Sequence, residues 1–372
     1  MILPTPEERL LLRACLLPGE FAVRGWDAWK ASRDGLRMER DESIRKLRLL
    51  VFRASQSHGF QMDKECRTFL RSAFLREELR NKVFRQICRE VILLLKREGI
   101  PAIVLKGAAL ADSVYEIPVL RHCHDLEILV RGEDQGRAVE QLNSLSFCRM
   151  KGVVARAGIC VLRHGSGLPL QLHTQLFEVP VYNLPIPELW ERSQRSMVAG
   201  SMAQILSPAD NLLHICGHAS YSSSCRSLHW VTDACFLLQR HQDLDWDSLL
   251  SSACRHHLIV PLSMLLGYLS RELEAPIPMQ FLNRLHFAAS RAGYRDREAA
   301  MWGVVAQGCA GSQAMIRSAP NWRVRFSIIR WLLFPSPGYL RWAEHIHFTW
   351  LLPAYYLYRP LKFALRRIRN AL

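Results

Sequence analysis

Between Ala102 and Phe177 the hydrophobic period of the chain changes from three-to-four to two, and beyond Ser207 it changes back. A chain of this kind must place short strands inside a helical shell. "AIVLKG" (102–107) is a β-branched run closed by Gly107, and "DLEILV" (125–130) is a second apolar run. "GICVLRHG" and "LPLQLHTQLF" read as two further strands joined by the turn-rich "HGSGLP". Between them, "AALADSVY" and "GEDQGRAVEQLNSLSF" carry helical spacing, the second with Glu133 and Asp134 in its first turn, where the helix dipole favours acids. Residues 100–178 are therefore expected to form a small mixed sheet with helices between its strands.

The flanks are helical. In residues 6–58 apolar positions recur at three and four. A long helix is expected from about Thr68 to Lys96, with Phe84, Ile87, Val91, Leu94 and Leu95 on one face. Gly99 and Pro101 stop it. Ser207, Pro208 and Asp210 form a helix-start signature ahead of "NLLHICGHA". The expected organisation is a helical segment 1–60, an α/β core 61–205, a helical domain 206–319 and a C-terminal region 320–372.

Composition narrows the function. The 372 residues carry a formal net charge of +15, which suits phosphate-bearing partners or an anionic surface. The C-terminal region holds nine Lys or Arg against one Glu, interleaved with Trp, Tyr and Phe. It reads as a packed helical subdomain with a basic outer face, available for peripheral contact with an anionic membrane. No nucleic-acid-binding module is visible. The first residues lack a basic n-region, no apolar run is long enough to span a bilayer, and the 11 cysteines are irregularly spaced without C-x-x-C. These features predict a cytoplasmic protein with reduced thiols.

Asp125 and Glu127 lie two apart in a strand, so their side chains share a face. Paired carboxylates can hold Mg²⁺ against phosphate oxygens, as phosphoryl and nucleotidyl transfer require. Eighteen residues upstream, Lys106 and Gly107 stand at a strand-to-helix turn. A glycine there allows close approach of a phosphate to the helix N-terminus, and lysine supplies a point charge.

In order and spacing, "VLKGAALADSVY", "R…DLEILV", "LQLHTQLF", "LSPADNLLHICGHAS…RSLHWVTDACFLL" and "LLFPSPGYLRW…LPAYYLYRP" resemble the uncharacterised nucleotidyltransferase family of bacterial proteins. That family is a branch of the DNA polymerase beta-like superfamily. The resemblance implies a small mixed-sheet nucleotidyltransferase core, α/β (α+β), wrapped by N- and C-terminal helices. It implies transfer of a nucleotidyl group from an NTP to an acceptor hydroxyl, with two Mg²⁺ ions. Surface polysaccharide and peptide modification are among the settings it suggests. By the same resemblance Asp125 and Glu127 are metal ligands and catalytic, and His173 is catalytic. Lys106, Gly107 and Arg121 contact the nucleotide.

Two positions depart from the family pattern. Glu127 stands where an aspartate is usual, and Gln171 stands where a third acid is expected. A neutral amide cannot act as a general base. Gln171, His173 and Gln175 share one strand face, so His173 is the candidate third ligand or base. A degraded nucleotide- or partner-binding protein that kept the fold is the alternative.

Three further features have structural readings. Arg121 either meets phosphate or pairs with Asp125 or Asp112. Asp233, on a mostly apolar helix, is expected to pair with Arg226. His214 and His218 have zinc-like i, i+4 spacing but lack an accompanying ligand cluster, so His218 is expected to buttress the fold or line the pocket.

Overall fold

The computed structural model describes residues 3–32, 41–150, 158–177, 182, 184–221, 228–293, 295–297, 299–300, 322–335, 337–344, 346 and 348–359. Four helices come first: α1 (Pro6–Leu16), α2 (Gly19–Ala31), α3 (Glu42–His58) and α4 (Lys64–Arg97). Their starts are written in the local sequence. Thr5 and Glu8 close a capping box on α1, Asp41 accepts from two backbone N–H groups of α3, and Asp63 accepts from Cys66 N. α4 begins four residues before its expected start and buries the expected apolar face. Gly99 follows it with φ +62°, in the left-handed region that glycine adopts without strain.

The core comprises β1 (Ala102–Val104), α5 (Lys106–Ser113), β2 (Leu126–Val130), α6 (Gln135–Leu142), β3 (Phe147–Arg149), β4 (Ile159–His164), β5 (Pro169–His173), α7 (Ile186–Arg192), β6 (Gln194–Val198) and β7 (Ser201–Ile205). The seven strands form one sheet in the order β3-β4-β5-β2-β1-β7-β6. β2 runs parallel to β5 and β1 parallel to β7; the remaining neighbours are antiparallel. The mixed sheet is as expected, and the β6–β7 hairpin extends it beyond the sequence reading. Its turn residues, Ala199 and Gly200, both have positive φ (52° and 80°), the geometry of a tight two-residue hairpin turn. Ala-Gly is a weak turn signal, since only its second residue favours that region.

Helices follow: α8 (Pro208–Tyr221), α9 (His229–Arg240), α10 (Trp246–Arg255), α11 (Ile259–Leu273), α12 (Met279–Ser290), α13 (Trp322–Leu333) and α14 (Pro337–Ala343). The expected start of α8 is present: the Ser207 hydroxyl donates to Asp210 at 2.6 Å and accepts from its N–H at 3.2 Å.

Alternate residues of the central strands feed two cores. Val104, Leu126, Ile128 and Val130 pack in a cluster with α4 and α6. Ile103, Leu105 and Leu129 join the other, with residues of α1, α3, α8, α9 and α11. That second cluster draws on all three of the segments expected before residue 319, so the flanking helices form one wall of the sheet's core. The boundary at 319 lies outside the described residues. No disulfide links the described cysteines. Among the described residues no helix is long and apolar enough to cross a membrane.

Candidate active site

β1 hands over to α5 within one residue. Leu105 N donates to the Glu127 carbonyl at 2.9 Å, which ties the turn to β2. Lys106 then adopts φ 49°, costing a non-glycine residue roughly 1–2 kcal/mol. The turn delivers its ammonium to Glu127, 2.9 Å from Oε1 and 2.7 Å from Oε2. A Cβ on Gly107 would lie 2.9 Å from Cys123 Sγ and 3.3 Å from Arg121 Nη1. Packing of the 121–123 loop therefore requires glycine at 107, whatever the backbone also binds.

Glu127 is 6% exposed within β2, and Asp125 precedes the strand by one residue. In the parallel register Glu127 lies beside Gln171, and Leu129 beside His173. The contacts run diagonally. Gln171 Nε2 donates to Asp125 Oδ2 at 2.8 Å, and His173 Nε2 lies 3.2 Å from Glu127 Oε2. That second approach is close but misaligned, and neither ring nitrogen of His173 has a well-formed hydrogen bond. β5 ends at His173, and Gln175 packs over Gly158 instead of extending the strand face.

The two acids ionise differently. Burial raises the Asp125 carboxyl above its ordinary value, and the Glu127 charge raises it further. Burial also acts to raise Glu127, but Lys106 and His173 outweigh it and hold that carboxyl well below the usual range. For Asp125 the nearby His124 and Lys106 do not outweigh burial and the Glu127 charge, as Lys106 and His173 do for Glu127.

This donor set fits one divalent cation. Asp125 and Glu127 offer hard oxygens on one face, and a cation would relieve what burial and the Glu127 charge impose on Asp125. Glu127 becomes available only when Lys106 moves off it. Among the described residues no group of three or more His, Cys, Asp or Glu is arranged to hold a metal ion.

Arg121 turns inward. Its Nε and Nη2 donate to Asp233 at 2.7 and 2.9 Å, and Nη1 donates to the His122 carbonyl at 2.6 Å. Tyr115 Oη donates to the same carboxylate at 2.6 Å. The partner of Arg121 is thus Asp233, neither Asp125 nor Asp112. Asp112 is held by Arg85 and by Ala199 N. Arg226, the expected partner of Asp233, lies outside the described residues. Because the guanidinium is committed to α9, its contribution to the site is to fix the loop that carries Asp125.

The chain matches a family model described as "Uncharacterised nucleotidyltransferase" over residues 44–273. The chain belongs to this family. Membership supports a nucleotidyl-transfer role. One similar solved structure is that of the antibiotic-resistance factor ANT(2'')-Ia, in solution. It is 14% identical with a TM-score of 0.34, covering 47% of this chain and 97% of its own. So distant a likeness leaves the site to be read from this chain's own residues. No curated protein matches the chain.

Sequence reasoning missed the second anchor of the acid-bearing loop. Glu77, 4% exposed on α4, accepts from His122 Nδ1 at 2.8 Å and from Arg80 Nη2 at 2.6 Å. A signal was present: Leu70, Ala73, Glu77, Asn81, Phe84 and Cys88 form one buried stripe, and an acid within such a stripe needs a partner. His214 and His218 lie on α8 with ring centroids 6.4 Å apart, and His214 packs edge-on against Phe177. Burial, then Lys106, pushes His218 down to about 3, and burial holds His214 well below its ordinary value. Both rings are neutral near pH 7, and the Lys106 charge adds to the depression of each.

Proposed function

We propose that the chain is a metal-dependent nucleotidyltransferase that moves a nucleotidyl group from an NTP to an acceptor hydroxyl. The observation that carries this reading is the convergence of Asp125, Glu127, Lys106 and His173 at the β1–α5 turn, on one face of β2 and β5. Asp125 and Glu127 would hold Mg²⁺, which neutralises charge developing on the transferred phosphoryl oxygens. Lys106 would exchange Glu127 for a phosphate once the cation takes over the carboxylate. Its place at the start of α5 points the charge and the first N–H groups of the helix toward the same anion. His173 is the candidate base for the acceptor hydroxyl, because Gln171 has no proton-accepting role beside Asp125. Arg121, rather than touching nucleotide, holds the loop.

A second reading has its own support. Gln171 donates to Asp125 and Lys106 neutralises Glu127, so internal donors satisfy both acids without a metal. A nucleotide-binding protein without turnover has this character.

Calorimetric titration of each NTP, with and without Mg²⁺, separates the two. The transferase reading expects one NTP to bind only with Mg²⁺, and binding to vanish in Asp125→Asn/Glu127→Gln. Equal binding without Mg²⁺, unaffected by that double substitution, supports the second reading. No binding of any NTP ends both.

A further inference from the structure

A second cavity, of about 300 Å³, opens beside the acid-bearing loop. One wall is the α3 stretch 45–50, where Arg45, Lys46 and Arg48 alternate with leucines; the others hold Leu120, His122 and His229. Among the described residues no Asp or Glu lines it.

The cations on this wall are not equally available. Lys46 is committed to Glu8 at 2.7 Å. Arg48 donates to the Arg45 carbonyl at 2.9 Å, and among the described residues neither Arg45 nor Arg48 forms an ion pair with a carboxylate. Across the cavity His229 Nδ1 lies 3.2 Å from Arg121 Nη1. Burial and then the charges of Arg121, His122, His124 and Arg48 hold the His229 imidazole well below its ordinary value. The nearby acids are already used, Asp233 by Arg121 and Glu77 by Arg80 and His122. Two guanidinium groups thus border a concave space that, among the described residues, holds no carboxylate to balance them. Guanidinium forks of this kind match phosphate geometry.

The cavity also has a defined relation to the acids. His122 lines it and Asp125 follows three residues later, so their Cα atoms are at most about 10 Å apart. His124 bridges the interval: its ring centroid is 6.3 Å from that of His122, and its Nε2 is 3.6 Å from Asp125 Oδ1. A ligand with a phosphate in the cavity can therefore present another group at Asp125.

We propose that this cavity is an anion site that takes a phosphate group of a ligand reacting at Asp125, with Arg45 and Arg48 as its binding residues. The proposal rests on the transferase reading for what happens at Asp125, but not for the site itself. The phosphate has two possible sources, the polyphosphate of the NTP and a phosphate carried by the acceptor.

The test is calorimetric titration of the full chain with inorganic pyrophosphate in metal-free buffer, and separately with the NTPs and Mg²⁺. Wild type is compared with Arg45→Ala/Arg48→Ala, with Arg45→Gln/Arg48→Gln and with Arg76→Ala/Arg89→Ala. The last pair removes the same charge from the exposed face of α4. Pyrophosphate affinity is expected to fall at least tenfold in both α3 variants and to hold in the α4 variant. NTP affinity that falls in parallel assigns the phosphate to the nucleotide; NTP affinity that holds assigns it to the acceptor. Equal pyrophosphate affinity in all four proteins, or none in wild type, overturns the anion site. Pyrophosphate binding that depends on Arg45 and Arg48 while no NTP binds keeps the site and removes the transferase reading. Unchanged thermal unfolding midpoints establish that the variants are folded.

Discussion

The two faces of β2 are both buried and could hardly differ more. Leu126, Ile128 and Val130 point into an aliphatic layer beneath α4 and α6, where only dispersion and exclusion of water act. Glu127, on the opposite face, is buried too and retains its charge, because Lys106 and His173 stand within 3.2 Å. The lesson is that burial alone does not make a core. One face is stable because it is dry; the other holds a carboxylate because a left-handed turn 21 residues upstream delivers a cation to it.

Breaking the charged face should abolish function while sparing the fold. Asp125→Asn is expected to lower nucleotidyl transfer about 10³-fold, about 4 kcal/mol of transition-state stabilisation. Its unfolding midpoint should hold, since the carboxyl is destabilised by burial in the native state. Incorporation of labelled NTP into cell extract measures the first effect and calorimetry the second. A large fall in midpoint would mean that Asp125 is structural.

Breaking the dry face should do the reverse. Ile128→Ala, at 0% exposure, is expected to cost about 3 kcal/mol by denaturant titration, with nucleotide affinity per folded molecule unchanged.

Lys106→Met tests the link between the faces. Losing one partner of a buried ion pair costs about 3–5 kcal/mol, and partial exposure of Lys106 brings the expectation to about 2 kcal/mol. Combining it with Glu127→Gln should recover most of that loss, and no recovery would mean that the pair is not the source.

Acid should act first through the buried histidines. His218 titrates in the folded chain at about 3, against roughly 6.5 unfolded. Between those values the unfolded state binds more protons, so stability falls as pH drops below about 6.5. His214 and His229 are depressed too and add in the same sense. Glu127, also depressed, adds its loss only below about pH 4.3. Asp125 is raised and opposes: its protonation, which begins above the unfolded value, favours the folded state. His218→Phe should flatten the dependence between pH 6.5 and 5 in an unfolding series.

The smallest effect concerns the C-terminal region, which resembles neither face. Trp322, Trp350 and Leu357 are 72%, 73% and 78% exposed there. If anionic lipid covers them, vesicles should retain the chain weakly at low salt and release it at high salt. No retention at low salt removes the membrane contact.

Much of this was legible locally. The helix start at Ser207, the stop at Gly99 and the alternation in "DLEILV" are short-range signals whose physics acts within a few residues. They place Asp125 and Glu127 on one face without any knowledge of the fold. The β6–β7 hairpin was not legible, because its turn depends on an alanine held at positive φ by the pairing of the strands it joins.

The sequence by itself determined most of the helices and the central strands, that a mixed sheet carries two neighbouring carboxylates, and that a lysine and glycine stand at the turn before them. Only the tertiary structure decided what each charged group meets. Arg121 finds Asp233 across 112 residues, His122 finds Glu77 across 45, and Gln171 finds Asp125 across 46. Periodicity reports which face a side chain takes. Which opposite charge waits on that face follows from the packing of distant elements, and the high cost of a buried unpaired charge selects the partner.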